Sequence, residues 1–320
     1  MSLADIGTSQ QTDGPTPIIE LIRATKLYDR RAVLSEVSLL VEGGAAMALI
    51  GRNGSGKSTL LSILAGLTKL SSGTMVRSGR RIATGYAPEA FPGLKMSAEH
   101  YLLSMARIAG LALAEAEARM AELLEMFHLE EFRRQRMDGF SKGMLQKVNL
   151  IQSLIAHPQL LLLDEPMSGL DLPAQHTLIG HLKELKRSGT GIVFSIHEPQ
   201  TIEALADSVH VLHAGRTVTT IHGQEEMRVT PAVYIVCKGI SEQRKAEIMD
   251  MPGVTSIHAL DGTPGDYLAA TLEIAAADDY LRHILQAEGS VVSVEPCGGL
   301  SAGGLEQWMD PKPVKGGTAG

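Results

Sequence analysis

Apolar positions change their spacing repeatedly along the chain, and each change predicts a different kind of element. Runs rich in Val, Leu and Ile at 18–23 and 32–41 predict two strands near the start, and the apolar run at 45–50 predicts a third. The runs at 160–163 and 191–197 predict strands buried in a parallel sheet. Apolar residues at helical spacing predict helices at 58–67, 98–108, 113–129, 145–157 and 175–187. This alternation of strands and helices is typical of an α/β core.

The pattern also predicts a division of the chain into parts. We expect a core at 18–225, interrupted by a mostly helical insertion at about 95–140. Residues 230–297 run strand, helix, strand, strand, helix, strand, which predicts a small ferredoxin-like α+β domain. Residues 1–17 contain few large apolar side chains and predict a disordered leader, and 298–320 predict a tail with a short helix.

Composition narrows the range of partners. A chain of 320 residues is long enough for about two domains, in agreement with this division. The formal net charge of -7 gives no overall electrostatic footprint for nucleic acid, so no nucleic-acid partner is expected. Cys237 and Cys297 are far apart in sequence and predict structural or free thiols rather than a metal or redox site. No secretory signal or membrane span is evident in the pattern, which predicts a cytoplasmic location.

Residues 51–59 carry the most specific motif. They read Gly-Arg-Asn-Gly-Ser-Gly-Lys-Ser-Thr, the phosphate-binding pattern G-x-x-x-x-G-K-S, between a predicted strand and a predicted helix. Glycines let backbone N–H groups surround an anion, and the start of the following helix adds partial positive charge. Lys57 can reach the β- and γ-phosphates of a nucleoside triphosphate, and the Ser58 hydroxyl can bind Mg²⁺. The strand before and the helix after disfavour a glycine-rich turn that fits by chance.

Acidic and histidine side chains follow the buried strands. Asp164 and Glu165 come directly after four leucines, and His197 ends the next buried strand. Parallel sheets place their chemistry at these carboxyl ends, so we prefer a functional role for both acids over simple capping of the strand. For His197, a structural role and a contact with the γ-phosphate both stay open. Tyr28 lies between the first two predicted strands and fits either a half-buried loop aromatic or a ring that stacks on a base.

With Ser141-Lys142-Gly143-Met144 and the turn at 168–171, these motifs resemble the nucleotide-binding subunit of ATP-binding cassette (ABC) transporters. The likeness covers about residues 18–225. It implies a P-loop NTPase cassette with an antiparallel β subdomain and a helical insertion, in which two cassettes face each other head to tail on two ATP molecules. The signature segment of each cassette then offers a helix N-terminus to the γ-phosphate bound by the other.

This resemblance also implies individual roles. Glu165 is similar to the general base that polarises the attacking water, His197 to the switch histidine at the γ-phosphate, and Lys57 to the catalytic phosphate-binding lysine. ATP contacts are implied for Tyr28, Asn53, Gly54, Ser55, Gly56, Lys57, Ser58, Thr59, Glu89, Ser141, Gly143 and Asp171. Mg²⁺ ligands, direct or through water, are implied at Ser58, Asp164 and Glu89.

Two positions depart from the common family pattern. Glu89 stands where a metal-contacting glutamine is usual, and a carboxylate adds negative charge and cannot donate a hydrogen bond. Lys142 stands within the signature where glycine is usual, and can strengthen anion binding or remain solvated. These variants and the ferredoxin-like extension resemble the ABC-2 type exporter ATPases.

The resemblance implies an ATPase that powers a transporter. Its partners are an integral membrane permease and a second cassette, in a homodimer or a heterodimer, peripheral at the inner face of the cell membrane. The permease is expected in a groove near Glu89, Phe91 and Tyr101. Two alternatives are a soluble ABC ATPase acting on ribosomes or DNA, disfavoured by the single cassette without a long coiled-coil insertion, and an importer ATPase with a ligand-regulated C-terminal domain.

Overall fold

A computed structural model describes most of the chain. The described residues are 16–79, 82–223, 232–240, 251–259 and 267–297, together with Arg244, Glu247 and Ile248. The predicted leader up to residue 15, the tail after residue 297 and most of the helix predicted at 241–250 lie outside them. Within the described part, no helix is long and apolar enough to cross a membrane.

Strands and helices are interspersed along the described residues between Pro17 and His222. The strands are β1 (Pro17–Tyr28), β2 (Arg31–Glu42), β3 (Ala46–Ile50), β4 (Ser72–Arg77), β5 (Thr84–Ala87), β6 (Leu160–Leu163), β7 (Gly191–Ser195), β8 (Ser208–His213), β9 (Arg216–His222), β10 (Ala232–Lys238), β11 (Val254–Ala259), β12 (Tyr267–Glu273) and β13 (Ser290–Cys297). The helices are α1 (Lys57–Leu64), α2 (Ala98–Ile108), α3 (Leu113–Met126), α4 (Lys142–Leu154), α5 (Leu172–Arg187), α6 (Pro199–Leu205) and α7 (Ala277–Gln286).

A six-stranded sheet forms the centre of the core, in the order β5-β6-β7-β3-β8-β9. Its first five strands pair in parallel, and β9 is antiparallel to β8. Every residue of β3, β6 and β7 is buried, as their largely apolar sequences predict. Because these three strands are parallel, the segments after Ile50, Leu163 and Ser195 meet at one edge of the sheet.

Two further units complete the core. Strands β2, β1 and β4 form an antiparallel sheet in that order, which packs Ile19, Leu21 and Leu34 into the same cluster as α1. The helical insertion contains α2 and α3, and Ser97 begins α2 by accepting a hydrogen bond from the backbone N–H of His100 at 3.2 Å. The predicted α/β class, antiparallel subdomain and helical insertion are thus confirmed.

The C-terminal part forms its own sheet and core cluster. Its four strands are antiparallel in the order β11-β12-β10-β13, the pairing that a ferredoxin-like chain of strand, helix, strand, strand, helix, strand produces. Tyr280 of α7 is buried against the sheet.

Several elements differ from the sequence prediction; α5, for example, begins at Leu172 rather than Gln175, because Asp171 caps it. Helix α4 begins at Lys142 rather than Leu145, because the Ser141 side chain caps it by accepting a hydrogen bond from the N–H of Met144 at 3.2 Å. Helix α6 begins at Pro199, two residues after His197, and was not predicted at all, since its seven residues are too few to show a helical period.

Candidate functional site

The loop after β3 is shaped for close approach by an anion. Gly54 and Gly56 have left-handed backbone angles, with φ of 82° and 105°. A Cβ atom on Gly56 would lie 2.6 Å from Cδ2 of Leu34, so only glycine fits there. Among the described side chains none caps the start of α1, which leaves its N–H groups for a ligand.

Lys57 is buried at the start of α1. Its side chain is 7% exposed, and its ammonium group donates a 2.7 Å hydrogen bond to the carbonyl of Gly51. Burial lowers the pKa of Lys57, and the nearby carboxylates of Glu165, Asp164 and Glu89 act in the opposite direction. A cation held inside the loop beside three acids is placed to interact with phosphate groups and with the groups that bind Mg²⁺.

Asp164 is held at the end of β6 by the neighbouring strand. It is 2% exposed, and its Oδ1 accepts a 2.6 Å hydrogen bond from the hydroxyl of Ser195. The same hydroxyl oxygen accepts a 2.8 Å bond from the backbone N–H of Glu165. Ser195 therefore fixes the directions of both acids, through the side chain of one and the backbone of the other.

Glu165 and His197 face each other across the ends of β6 and β7. Nε2 of His197 lies 2.8 Å from Oε1 of Glu165. Burial raises the pKa of Glu165 to about 7, while Lys57 opposes the rise and Asp164, Glu198 and Glu89 add to it. Burial, with the Lys57 charge, lowers the pKa of His197 and favours its neutral ring. A carboxyl that titrates near neutral pH is suited to general base catalysis.

One cleft of about 540 Å³ brings most of the predicted residues together. Its walls contain Val33, Asn53, Gly54, Gly56, Lys57, Ser58, Thr59, Glu89, Asp164, Glu165, Ser168 and His197. Ser55 belongs to the loop and is buried, and its Oγ has no hydrogen-bond partner among the described residues. A larger cavity of about 770 Å³ lies at the amino-terminal end of β3 and is lined by other residues, His210 among them. The predicted residues therefore gather in the smaller cleft and not in the larger cavity.

Tyr28, Ser141, Gly143 and Asp171 lie outside the wall of this cleft. Tyr28 is the last residue of β1, 46% exposed, and the Lys26 ammonium lies 4.8 Å from its ring centroid. Its role as a stacking aromatic therefore stays a prediction.

The signature segment packs against the turn that follows Glu165. A Cβ atom on Gly143 would lie 2.6 Å from the carbonyl oxygen of Gly169, and the Lys142 ammonium donates a 3.1 Å hydrogen bond to the Ser168 hydroxyl. Asp171 caps α5 by accepting a 2.9 Å bond from the N–H of Ala174. Ser141 is exposed, so the N-terminus of α4 is accessible to a group from outside the subunit.

The donor set suits Mg²⁺ bound together with a triphosphate. Among the described residues, no group of three or more His, Cys, Asp or Glu side chains is arranged for a metal ion. Mg²⁺ does not need such a group, because it is usually held by one or two carboxylates, waters and substrate phosphates. Asp164 and Ser58 supply a carboxylate and a hydroxyl beside the phosphate loop, and Glu89 lies in the same cleft. When bound, Mg²⁺ supplies charge that stabilises the phosphoryl group during its transfer.

Ser195 is a candidate site residue that the sequence interpretation missed. Ser195 is the single polar side chain within Ile192–Ile196 of a buried strand, and that was the available signal. Buried hydroxyls need partners, and the nearest polar groups to the end of β7 are those at the end of β6.

Fold and cleft together define an α/β phosphate-loop hydrolase of nucleoside triphosphates. The family model described as ABC transporter matches residues 34–168. The ABC transporter ATP-binding protein NatA of Bacillus subtilis (strain 168) is 32% identical over 60% of this chain and 84% of its own length. A solved structure of the ATP-binding subunit of an ABC transporter covers 66% of this chain and 92% of its own, at 33% identity and a TM-score of 0.62. The chain belongs to the ABC transporter ATP-binding proteins and is an ATPase that uses ATP with Mg²⁺.

Other relatives are named for opposite directions of transport. The Nod factor export ATP-binding protein I of Rhizobium meliloti is 33% identical over 67% of this chain and 68% of its own length. The aliphatic sulfonates import ATP-binding protein SsuB of Mycobacterium avium (strain 104) is 35% identical over 73% of this chain and 92% of its own length.

Proposed function

We propose that the chain powers an ABC-2 type exporter, by pairing with a second cassette when ATP binds. One observation supports the pairing of two cassettes. Ser141, in the signature segment at the start of α4, is exposed and lies outside the cleft that holds the phosphate loop and the acids. A helix N-terminus of this kind attracts phosphate, and a second subunit can present it to the cleft. Export is supported by the relative named for Nod factor export and by Glu89 and Lys142.

Within the cleft, Glu165 is the proposed general base. Hydrolysis of a phosphate anhydride is catalysed mainly by positioning and by charge stabilisation. Lys57 and the N–H groups of residues 53–59 hold the phosphates, Asp164 and Ser58 hold Mg²⁺, and Glu165 takes a proton from the attacking water. The neutral ring of His197 is beside that carboxylate and orients the γ-phosphate.

A groove beside the cleft is the proposed contact with a membrane permease. It encloses about 440 Å³ and is lined by Glu89, Ala90, Phe91, Lys142, Leu145, Gln146 and Ser168. The rings of Phe91 and Tyr101 meet edge to face with centroids 5.4 Å apart, which gives one side a rigid apolar surface. Glu89 and Ser168 line both groove and cleft, so a helix bound in the groove touches the same segments as the nucleotide. The chain is then peripheral at the inner face of the membrane.

Substitution of the base tests the assignment. Glu165→Gln removes the proton acceptor but keeps the volume, so we expect ATP hydrolysis to fall by about 100-fold or more while ATP binding is retained. Full activity in this variant would remove Glu165 as the base. Co-purification with a multispanning membrane protein tests the partner.

Import is the second candidate, because the SsuB relative is named for it. In this case residues 230–297 form the proposed regulatory ligand domain. Calorimetric titration of the full chain with amino acids tests this alternative. The exporter proposal predicts that no heat of amino-acid binding is measured.

A further inference from the structure

Helix α4 carries three amide side chains on one face. Gln146, Asn149 and Gln152 are spaced three residues apart, so their side chains are neighbours along the helix. Gln146 is 4% exposed and Asn149 is fully buried, and Gln152 is half-buried. Buried amides are costly unless they are paired, so their partners show what they hold.

The three amides form a continuous chain of hydrogen bonds. Nε2 of Gln152 donates to Oδ1 of Asn149 at 3.5 Å, and Nδ2 of Asn149 donates to Oε1 of Gln146 at 3.3 Å. Each NH₂ group also reaches the backbone. Gln152 donates to the carbonyl of Tyr86 at 2.5 Å, and Asn149 donates to the carbonyl of Pro88 at 2.7 Å.

The other end of the chain lies on the loop after β6. Nε2 of Gln146 donates to the carbonyl of Pro166 at 3.2 Å and approaches that of Glu165 at 3.5 Å. The ladder of Gln146, Asn149 and Gln152 therefore joins two segments of the site. One is the strand end at 86–88, directly before Glu89, and the other is the backbone of Glu165–Pro166.

The need to satisfy backbone carbonyls at the edge of the six-stranded sheet explains only part of this hydrogen-bond network. Strand β5 is at the edge of the six-stranded sheet, and the carbonyl of Ala87 points inward to the N–H of Asp164 at 2.8 Å. The carbonyls of Tyr86 and Pro88 point the other way and need partners. Two separate side chains would satisfy them without any bond to each other or to Pro166.

We infer that Gln146, Asn149 and Gln152 are positioning residues that fix the backbone of Glu165 relative to the segment that carries Glu89. The inference rests on the proposed role of Glu165 as base. The amides act through the backbone rather than on ATP. A change at Glu89 or in the groove beside it is thereby transmitted to the loop that positions the catalytic carboxylate.

Asn149→Leu interrupts the ladder in the middle with a side chain of similar size. Because a small displacement of a catalytic group is costly, we expect kcat for ATP hydrolysis by the full chain to fall by about tenfold. The KM for ATP should stay within about twofold, because the phosphate loop is untouched. Hydrogen exchange should rise together in residues 84–91 and 164–168, which a local packing defect would not produce.

Ser153→Ala is the matched control. Ser153 is buried in the same helix, but its hydroxyl bonds within the helix, to the carbonyl of Leu150 at 2.7 Å. It should change neither kcat nor exchange in the two segments. If Asn149→Leu does not fold, Gln152→Met removes the half-buried end and should lower kcat about threefold at constant KM.

The inference is overturned if Asn149→Leu folds and its kcat equals that of the unchanged chain. If only Gln152→Met folds, an unchanged kcat in that variant overturns it. A loss of kcat and of ATP binding together also overturns it. The variant Glu165→Gln distinguishes failure of this inference from failure of the proposed role of Glu165 as the general base. If that variant hydrolyses ATP normally, the role of Glu165 fails whatever the ladder does.

Discussion

At the scale of single residues, burial determines the chemistry of Glu165 more strongly than its charged neighbours do. Its side chain is 19% exposed and its pKa is raised to about 7, although Lys57 favours the carboxylate. The residue also has a positive φ of 48°, a conformation that few side chains adopt. Both features are unfavourable for folding and place the carboxyl beside the phosphate loop, which is typical of a catalytic residue.

The raised pKa predicts a pH-dependent gain in stability for Glu165→Gln. A carboxyl whose folded-state pKa is raised contributes stability that is fully present below the unfolded-state pKa near 4.5 and is lost as pH rises through about 7. Glutamine does not titrate, so the variant escapes this loss. Its advantage in free energy of unfolding should grow by about 3 kcal/mol between pH 4 and pH 8.

Urea unfolding at these two pH values measures the effect. Glu125→Gln, a substitution of an exposed acid on α3, is the control and should show no such growth. A constant difference between Glu165→Gln and the unchanged chain would contradict the burial of a titrating carboxyl at this position.

Ser195 shows the limit of sequence reasoning at this scale. The motifs around Asp164 and Lys57 are local in sequence, so the chain order alone identified them. The bond between Ser195 and Asp164 joins positions 31 residues apart and depends on the pairing of β6 with β7. A hydroxyl inside an apolar run signals an unsatisfied group, but its partner follows only from the strand order.

At the scale of elements, strands were predicted better than helix ends. The four leucines of β6 indicate a central strand of a parallel sheet, because every side chain of such a strand is buried. The start of α4 was placed too late, since Lys142 and Gly143 are exposed or half-buried and show no apolar period. The capping serine decides that boundary, and the contact of Gly143 with Gly169 depends on tertiary packing.

The contact between Gly143 and Gly169 predicts that a substitution at Gly143 impairs ATP hydrolysis but not ATP binding. Gly143→Ala places a methyl group 2.6 Å from the carbonyl oxygen of Gly169, and backbone cannot move aside cheaply. We expect the start of α4 to shift at a cost of about 1–3 kcal/mol in stability, with loss of most ATP hydrolysis. ATP binding to the phosphate loop should persist, as measured by calorimetry with Glu165 intact.

Gly139→Ala is the matched control for this substitution. It lies four residues earlier, where an added Cβ atom meets no heavy atom within 4 Å. Hydrolysis at the normal rate in Gly143→Ala would show that the signature does not need its close packing on the turn.

At the scale of the whole molecule, the proposed pairing leaves the cleft of a single subunit incomplete, because Ser141 has to come from a second subunit. Each cleft of a head-to-tail pair then takes Lys57 and Glu165 from one chain and Ser141 from the other. Ser141→Asp keeps a good capping residue and adds a negative charge that repels phosphate. Lys57→Ala removes the phosphate cation from the other side of the same cleft. Each variant alone should hydrolyse ATP very slowly.

An equal mixture of these two variants should regain activity. With random pairing half of the dimers are mixed, and in each mixed dimer one cleft carries both defects while the other carries none, so about a quarter of all clefts are intact. Lys57→Ala mixed with Glu165→Gln is the decisive control, because both residues belong to the same chain's side of the cleft and every mixed cleft keeps one defect. Recovery of ATPase activity in the first mixture alone requires that phosphate loop and signature meet across two chains. No recovery in either mixture is the result expected if each subunit completes its own cleft, and equal recovery in both mixtures would also contradict the head-to-tail pairing.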